Sequence, residues 1–365
     1  VDYINDNVTL IHTRLSIIDL DQRSNQPMYS KDKRYSIVFN GEIYNYKEIR
    51  KKLEQKGSHF YTDGDTEVLL EGFIHYGSNI LDLLRGQFAF AIYDSLEGSF
   101  FLARDRVGIK PLYFSLIDEV FIFSSELKAI EKSGVFQFNA DYDSYISYLR
   151  HLAVPTSKTG NKNISKLEPG QYLLVNRDKS ITKNKYWDPF SFEVDHSITE
   201  KEAISKVEEL LFESVEYRKV SDVEVGLFLS GGLDSTSILY EMKELGVKPR
   251  TFTSSFATTD KKSNLNDDSK LAQKLCKEWG IENNVVYQTQ QDYVDSLEDT
   301  FYALEEPRQG KSFPTYYNMN KFMASNDITV TLAGDGGDEL FAGYKHHNPY
   351  LYKLNNMDLN WRNKL

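Results

Sequence analysis

From residue 223 onward the sequence alternates between short β-rich runs and helical patterns, and this alternation restricts the fold more than any other feature. The predicted strands are Val223 to Leu229, Thr251 to Phe256, Val285 to Tyr287 and Ile328 to Leu332. The predicted helices are Asp234 to Leu245, Asp268 to Trp279, and two stretches around Val294 to Leu304 and Pro314 to Ala324. Such alternation is typical of a parallel sheet, so we predict a doubly wound α/β domain here.

The first half has a different pattern of predicted secondary structure, in which short strand-like runs are mixed with a few helices. The predicted strands are Tyr35 to Phe39, Gln87 to Tyr93, Phe100 to Arg104, Leu112 to Ser115, Val120 to Phe123 and Gly170 to Val175. The predicted helices are Tyr46 to Lys56, Thr66 to Tyr76 and Asp141 to Leu152. This mixture predicts an α+β domain of packed antiparallel sheets with helices on the outer faces.

The pattern of predicted secondary structure changes near Trp187–Pro189, and this change predicts a domain boundary. We therefore predict a first domain at residues 1–189, a linker at 190–198 and a second domain at 199–365. The second domain opens with a helix whose Thr199 and Glu202 form a capping-box pattern. Val1 is not a natural start and the last residues carry no stop signal, so we expect the sequence to be a fragment.

Charge and cysteine content exclude several classes of protein. The chain has 54 acidic and 43 basic residues and a net charge of -11, so nucleic acid is not an expected partner. No apolar run approaches the length of a membrane span, so we expect no membrane partner and a cytoplasmic location. The single cysteine, Cys276, lies in a helical pattern and is predicted to be a core residue rather than a catalytic thiol.

The segment Leu229–Ser235, with the sequence LSGGLDS, has the features of a phosphate-binding loop. Its two glycines let the backbone approach an anion, its serines add hydroxyl donors, and the next helix presents free N–H groups. Asp234 is placed to hold a magnesium ion. No lysine follows the glycines, so this is not the GxxxxGK[ST] loop. A glycine-rich turn without a ligand is the alternative interpretation.

A second loop that is rich in glycine and acid, Ala333–Tyr344 with the sequence AGDGGDELFAGY, also follows a predicted strand. Loops at the carboxyl ends of parallel strands line the ligand crevice of such a sheet, so the two loops should face each other. Asp234 and Asp338 could then share one Mg²⁺, with a triphosphate supplying further oxygens. The two loops therefore predict a phosphate ligand with Mg²⁺, and their resemblance to the pyrophosphate loop of the ATP-pyrophosphatase family implies that this ligand is ATP.

These two motifs together resemble the synthetase half of the asparagine synthetase family. Segments of the first half resemble its glutaminase half, namely His12–Asp19, Phe39–Tyr46, Asp65–Glu67 and Ala103–Tyr113. The resemblance implies an N-terminal-nucleophile αββα sandwich followed by a doubly wound ATP-pyrophosphatase domain. It also implies that glutamine is hydrolysed in the first domain, that ATP adenylates a carboxylate in the second, and that ammonia displaces AMP.

The resemblance assigns roles to residues of the first half. The expected glutamine-binding residues are Arg14, Leu15, Ser16, Ile17, Ile18, Asn40, Gly41, Glu42 and Asp65. Arg14 would bind the α-carboxylate of glutamine, and Glu42 and Asp65 its α-amino group. Asn40 and the N–H of Gly41 would form the catalytic oxyanion hole.

The resemblance also assigns roles in the second half. The expected ATP-binding residues are Leu229, Ser230, Gly231, Gly232, Leu233, Asp234, Ser235, Ser254, Ala333 and Gly334. Asp234 and Asp338 would bind Mg²⁺, and Asp335 corresponds to an acid implicated in adenylation.

Three functions remain open at this point. The chain could belong to an asparagine synthetase, to a relative that amidates another carboxylate such as a sugar acid, or to a homologue whose glutaminase half is only structural. The nucleophilic cysteine that begins the family's glutaminase half is absent from this sequence, so we expect no glutamine hydrolysis. The acceptor region Glu305–Pro314 keeps the family's Glu-Pro and Ser-x-Pro, while Asn283–Asn284 replaces a histidine-rich pair. The expected partners are glutamine and a carboxylate acceptor such as aspartate, and a homodimer is possible.

Overall fold

A computed structural model describes residues 2–5, 7–257 and 266–347. The strands are β1 (Asp2–Asn5), β2 (Val8–Leu10), β3 (Met28–Tyr29), β4 (Tyr35–Ile43), β5 (Gly86–Asp94), β6 (Ser99–Arg104), β7 (Tyr113–Ile117), β8 (Val120–Ser124), β9 (Ser165–Lys166), β10 (Gln171–Val175), β11 (Ile181–Lys185), β12 (Val225–Phe228), β13 (Thr251–Phe256), β14 (Asn283–Gln288) and β15 (Val330–Leu332). The helices are α1 (Tyr46–Glu54), α2 (Asp65–Tyr76), α3 (Ile80–Leu83), α4 (Leu127–Lys132), α5 (Tyr142–His151), α6 (Glu200–Arg218), α7 (Leu233–Glu244), α8 (Asp267–Trp279), α9 (Gln290–Asp295), α10 (Leu297–Leu304), α11 (Phe313–Ala324) and α12 (Gly337–Phe341).

The chain divides into two compact units, and each unit is built from segments that are separated in sequence. The first unit contains the residues up to 206 together with 217–223 and 293–318. The second unit contains residues 207–216, 224–292 and those from 319 onward. Residues 293–318 therefore pack with the first unit although β14 and β15, which flank them in sequence, belong to the second. The predicted linker at 190–198 stays a prediction.

The first unit is built on two antiparallel sheets. The larger sheet has the strand order β11-β10-β6-β5-β4-β3 and the smaller one β8-β7-β9. Neighbouring residues of β4 point to opposite faces, since Ile37 and Phe39 pack with the helices α1 to α3 while Val38 packs with Phe114 of the smaller sheet. On the outer face of the smaller sheet, Tyr113 contacts Leu127 and Ile130 of α4. The layers are helix, sheet, sheet and helix, which confirms the predicted αββα sandwich.

The second unit is a parallel sheet with the strand order β14-β13-β12-β15, and every neighbouring pair is parallel. One face packs on α7 and α8 through a buried cluster that includes Leu227, Leu239 and Cys276. The other face packs Phe252 against Met319 and Met323 of α11. Helices on both faces make the sheet doubly wound, as the alternating sequence predicts. Cys276 is 1% exposed and lies in the core, as expected from its helical position.

The capping box at the start of α6 agrees with the sequence. Thr199 and Glu202 form a reciprocal capping box, because the Thr199 N–H donates to the Glu202 carboxylate at 2.9 Å and the Glu202 N–H donates to the Thr199 hydroxyl at 3.3 Å. Within the described residues, no helix is both long enough and apolar enough to cross a membrane.

Candidate functional site

The end of β4 carries three of the predicted site residues, Asn40, Gly41 and Glu42. Gly41 has a φ of +153°, and a Cβ atom there would lie 2.8 Å from the Cα of Phe88 and 2.9 Å from the ring of Phe39. Only glycine fits this position, because both the backbone conformation and the close neighbouring strand exclude a side chain. The glycine therefore fixes the path of the backbone between Asn40 and Glu42.

Glu42 and Asp65 form a pair of buried carboxylates in the first unit. Their exposed fractions are 7% and 6%, and the Oε1 atom of Glu42 has no hydrogen-bond partner within the described residues. Burial raises the pKa of Glu42 to about 7, and the negative charge of Asp65 contributes to this rise. Burial also raises the pKa of Asp65 to about 6, although the N–H of Ile43 donates to Asp65 at 2.9 Å. Two carboxylates in this state favour a cationic ligand such as an ammonium group.

Arg14 organises the loop that carries four further predicted glutamine-binding residues, Leu15, Ser16, Ile17 and Ile18. Its guanidinium donates to the carbonyl oxygens of Ile18 and Asp21, each at 2.9 Å, and to the carbonyl oxygen of Asp19. Its positive charge partly opposes the rise in the pKa of Asp65 that burial causes. Arg14 therefore lies within electrostatic reach of the carboxylate pair. Within the loop, Leu15 is 68% exposed, Ser16 and Ile17 are half-buried and Ile18 is buried.

His12 is a residue of this region to which the sequence reasoning gave no role. Its Nε2 atom donates to the carbonyl oxygen of Phe39 at 3.0 Å, next to Asn40. Burial lowers the pKa of His12, which favours the neutral ring, and its buried Nδ1 atom has no partner among the residues that the structure describes. The only signal in the sequence is that His12 opens the same motif as Arg14.

The loop Leu229–Ser235 of the second unit connects β12 to α7. Gly231 has a φ of +84°, and a Cβ atom there would lie 2.5 Å from the carbonyl oxygen of Asp268. The hydroxyl groups of Ser230 and Ser235 are 2.9 Å apart, and the Gly232 N–H donates to Ser230 at 3.1 Å. Gly232 precedes α7 and has no side chain to cap it, so the first N–H groups of this helix are available to an anion.

The second loop follows β15, which pairs directly with β12. The strand order reverses between these two strands, so both loops leave the sheet at its topological switch point. A Cβ atom on Gly334 would lie 3.0 Å from the Cβ of Asp234, and one on Gly337 would lie 2.6 Å from its carboxyl carbon. The two glycines thus let the second loop pack directly on the Asp234 side chain.

The acids of the two loops are electrostatically coupled. Burial raises the pKa of Asp234, and the negative charges of Asp338 and Glu339 raise it further. Glu339 is held by the hydroxyl of Tyr344 at 2.8 Å and by the N–H of Gly336 at 3.1 Å. The structure therefore brings the two predicted metal ligands, Asp234 and Asp338, to one place.

The remaining predicted ATP-binding residues differ in exposure. Leu229 is 1% exposed, Ala333 and Gly334 are half-buried, and Leu233 is 82% exposed. Ser254 is half-buried on β13 and accepts a hydrogen bond from Gln288 at 3.1 Å. The acid Asp335 is exposed.

The donor set at these loops fits Mg²⁺ that is bound together with a phosphate ligand. Within residues 2–5, 7–257 and 266–347, no group of three or more His, Cys, Asp or Glu side chains is arranged to hold a metal ion. The carboxylates of Asp234 and Asp338 would therefore be the protein ligands for such an ion. Mg²⁺ commonly binds one or two carboxylates together with substrate phosphates. A nucleotide phosphate would supply the other oxygens here.

Comparison with known proteins assigns a family to each part of the chain. A family model described as a glutamine amidotransferase domain matches residues 2–187, and one described as asparagine synthase matches residues 206–364. Asparagine synthetase (glutamine-hydrolyzing) 1 of Bacillus subtilis is 35% identical over 332 residues, which cover 91% of this chain and 51% of that protein. Putative asparagine synthetase (glutamine-hydrolyzing) 2 of Methanocaldococcus jannaschii is 33% identical over 364 residues, with coverages of 95% and 68%.

A third relative carries a different name. Amidase chry2 of Gibberella zeae is 29% identical over 354 residues, which cover 93% of this chain and 52% of that protein. The chain thus spans about half to two thirds of the length of these three relatives.

Proposed function

Because the chain belongs to the glutamine-hydrolysing asparagine synthetase family, we propose that it takes part in the ATP-dependent amidation of a carboxylate with ammonia from glutamine. The first acceptor to consider is aspartate, with asparagine as the product. The observation that carries the proposal is the meeting of two Gly-Asp loops at the switch point of one parallel sheet.

In the second unit, an oxygen of the acceptor carboxylate attacks the α-phosphorus of ATP and pyrophosphate leaves. Ammonia then attacks the carbonyl carbon of the acyl-adenylate, and AMP leaves. The loop at Ser230–Ser235 would hold the phosphates through N–H and hydroxyl donors, and Asp335 would act in the adenylation step. Asp234 and Asp338 would hold Mg²⁺, which would neutralise charge on the phosphates.

In the first unit, Glu42 and Asp65 would bind the α-ammonium of glutamine, and Arg14 its α-carboxylate. The raised pKa values of the two buried acids support this assignment, because an ammonium ligand relieves their repulsion. Asn40 and the N–H of Gly41 would form the oxyanion hole. The single cysteine, Cys276, is buried in the second unit, so it has no part in this site.

Two alternatives concern the acceptor and the first unit. Another carboxylate, such as a sugar acid, could replace aspartate, and one relative carries the name amidase rather than asparagine synthetase. A purely structural first unit is the other alternative, and measurable glutamine binding would contradict it. A homodimer and a cytoplasmic location also stay predictions.

The proposed adenylation is tested by the exchange of labelled pyrophosphate into ATP, with aspartate and a panel of other carboxylates. We expect exchange that depends on one acceptor class and is lost in Asp234→Asn and in Asp338→Asn. A matched control is Asp267→Asn, an exposed acid on α8 that pairs with Lys270 at 2.9 Å. Exchange that survives the loss of Asp234 or Asp338 would show that the shared-metal assignment is wrong.

Glutamine binding is tested by calorimetry in buffers with different ionisation enthalpies. Because the raised pKa values leave Glu42 and Asp65 partly protonated near pH 6 to 7, we expect binding of the ammonium group to release protons. Asp65→Asn should weaken binding and reduce the proton release. Binding without any proton release would contradict the assignment of the ammonium site.

A further inference from the structure

Residues 217–223 belong to the first unit, although they lie in the part of the chain that matches the asparagine synthase model. The hydroxyl of Tyr217 donates to the Glu48 carboxylate of α1 at 2.8 Å. Val220 packs against the buried cluster that includes Ile37 and Phe39 of β4. Polar and apolar contacts therefore both attach this segment to the first unit.

Asp222 makes two hydrogen bonds to the loop that carries Arg14. The Asp222 N–H donates to the carbonyl oxygen of Ile17 at 2.9 Å, and the Asp222 carboxylate accepts from the N–H of Asp19 at 2.7 Å. The second contact joins residues that are 203 positions apart in sequence. A carboxylate that accepts from a backbone N–H forms one of the stronger kinds of hydrogen bond. The two bonds therefore hold residues 17–19 at both of their ends.

Asp19 has a backbone conformation that needs such support. Its φ is +50°, in the left-handed region that is unfavourable for a residue with a side chain. Its buried carboxylate accepts from the Ser24 hydroxyl and from the Asp63 N–H, each at 2.8 Å. Asp63 lies two residues before Asp65, the first residue of α2. Asp19 thus connects the Arg14 loop to the segment that leads into Asp65, while Asp222 holds its backbone from the other side.

The backbone held by Asp222 is the backbone that holds Arg14. The Arg14 guanidinium donates to the carbonyl oxygens of Ile18 and Asp19, which lie within the stretch that Asp222 fixes. A guanidinium recognises a carboxylate through N–H groups in a fixed geometry, so the position of these carbonyl groups determines where Arg14 can bind one. A movement of residues 17–19 would displace the Arg14 side chain with them.

We propose that Asp222 is a positioning residue for the α-carboxylate of glutamine, because its two bonds to Ile17 and Asp19 fix the carbonyl groups that hold Arg14. The inference rests on the proposed function, in which Arg14 binds that carboxylate. Asp222 lies outside residues 2–187, which match the amidotransferase model. Glutamine affinity therefore depends on a residue from the part of the chain that matches the asparagine synthase model.

The test compares Asp222→Ala with Asp222→Asn, which keeps an acceptor oxygen, and with Asp178→Ala as a matched control. Asp178 is an exposed acid of the same unit, and its carboxylate accepts from the N–H of Ser180 at 2.9 Å. Because Asp222 is itself exposed, its replacement creates no buried cavity and the variant should fold.

Two ligands separate positioning of Arg14 from a general loss of structure. In calorimetry, Asp222→Ala should weaken the binding of glutamine roughly tenfold. The binding of γ-aminobutyramide, which is glutamine without its α-carboxylate, should stay within about twofold, because this analogue has no group for Arg14 to bind. Asp222→Asn should keep most of the affinity for glutamine, and Asp178→Ala all of it.

Hydrogen exchange tests the same contact in the unmodified protein. Glutamine should favour the loop conformation in which the Asp19 N–H is bonded to Asp222, so saturating glutamine should slow the exchange of this amide at least roughly fivefold. In Asp222→Ala the same amide should exchange at least roughly tenfold faster than in the unmodified protein.

The positioning role is overturned if Asp222→Ala binds glutamine as tightly as Asp178→Ala does, or if it loses affinity equally for glutamine and for the analogue. It is also overturned if saturating glutamine leaves the exchange of the Asp19 amide unchanged. An unmodified protein that binds no glutamine would instead overturn the function proposed for the first unit, so the two failures are distinguishable.

Discussion

The substitution Glu42→Gln should make the protein more stable at high pH, and the size of the effect follows from the burial of this carboxylate. In the folded protein the pKa of Glu42 is raised to about 7, with burial as the main cause and the Asp65 charge as the second. A pKa raised this far above the ordinary glutamate value corresponds to roughly 3 kcal/mol. Glutamine has nearly the same shape and cannot ionise, so the variant avoids this cost.

The stabilisation by Glu42→Gln should increase with pH. Between about pH 4.5 and 7 the folded state binds more protons at Glu42 than the unfolded state does, so stability falls as pH rises through this range. The difference between Glu42→Gln and the unmodified protein should therefore be near zero at about pH 4 and close to complete at about pH 8. For a unit of this size, roughly 3 kcal/mol corresponds to a rise in Tm of roughly 5–10 °C.

Differential scanning calorimetry from pH 4 to pH 8 measures this difference, and Glu97→Gln is the control because Glu97 is exposed. Saturating glutamine provides a functional check. If its ammonium group pairs with Glu42, glutamine should raise the Tm of the unmodified protein more at pH 8 than at pH 5, and this pH dependence should shrink in Glu42→Gln. Parallel pH profiles for the variant and the unmodified protein would refute the reasoning.

Three further substitutions test the packing. Gly41→Ala should prevent stable folding of the first unit, because its Cβ would lie 2.8 Å from the Cα of Phe88, whereas Gly57→Ala meets no atom within 4 Å and should cost only about 1–2 kcal/mol of unfolding free energy. Gly337→Ala should reduce pyrophosphate exchange at least roughly tenfold while the Tm changes little, since the methyl group displaces the Asp234 carboxylate. Cys276→Ser should lower the unfolding free energy by about 1–3 kcal/mol and leave exchange unchanged, and lost exchange in a folded variant would contradict the core assignment.

The type of sheet in each unit could be predicted from the sequence because its signals are local. The alternation of strands and helices after residue 223 leads to a parallel sheet, and the structure places the two Gly-Asp loops together through the pairing of β12 with β15. In the first half, runs of consecutive apolar residues such as Ile37, Val38 and Phe39 define strands with two buried faces. Both patterns extend over only a few residues, so they can be recognised without a structure.

The packing of residues 293–318 could not be predicted in the same way. The pattern around 314–324 corresponds to α11, and that around 294–304 is divided between the end of α9 and α10. Neither pattern contains information about which unit its helix contacts. Glu305 and Glu306 would be expected at the surface from their charge, and their burial depends on Leu127, Lys128 and Lys166, which are distant in sequence. The hydrogen bond from His12 to Phe39 could not be predicted either, because it depends on where β4 lies in the folded unit.

The two candidate sites use one physical arrangement, which explains why the sequence combines glycine with acids at each. At both sites a glycine allows backbone to approach closely. Burial, and after it the repulsion of a neighbouring carboxylate, raises the pKa of Glu42 in the first unit and of Asp234 in the second. Like charges held together without a cation destabilise the folded protein, so they persist where a cationic ligand relieves the repulsion. An ammonium group in the first unit and Mg²⁺ with a nucleotide in the second would each have this effect. Glutamine and Mg-ATP should therefore each stabilise the protein, and the stabilisation by glutamine at pH 8 should be reduced in Glu42→Gln while that by Mg-ATP is kept.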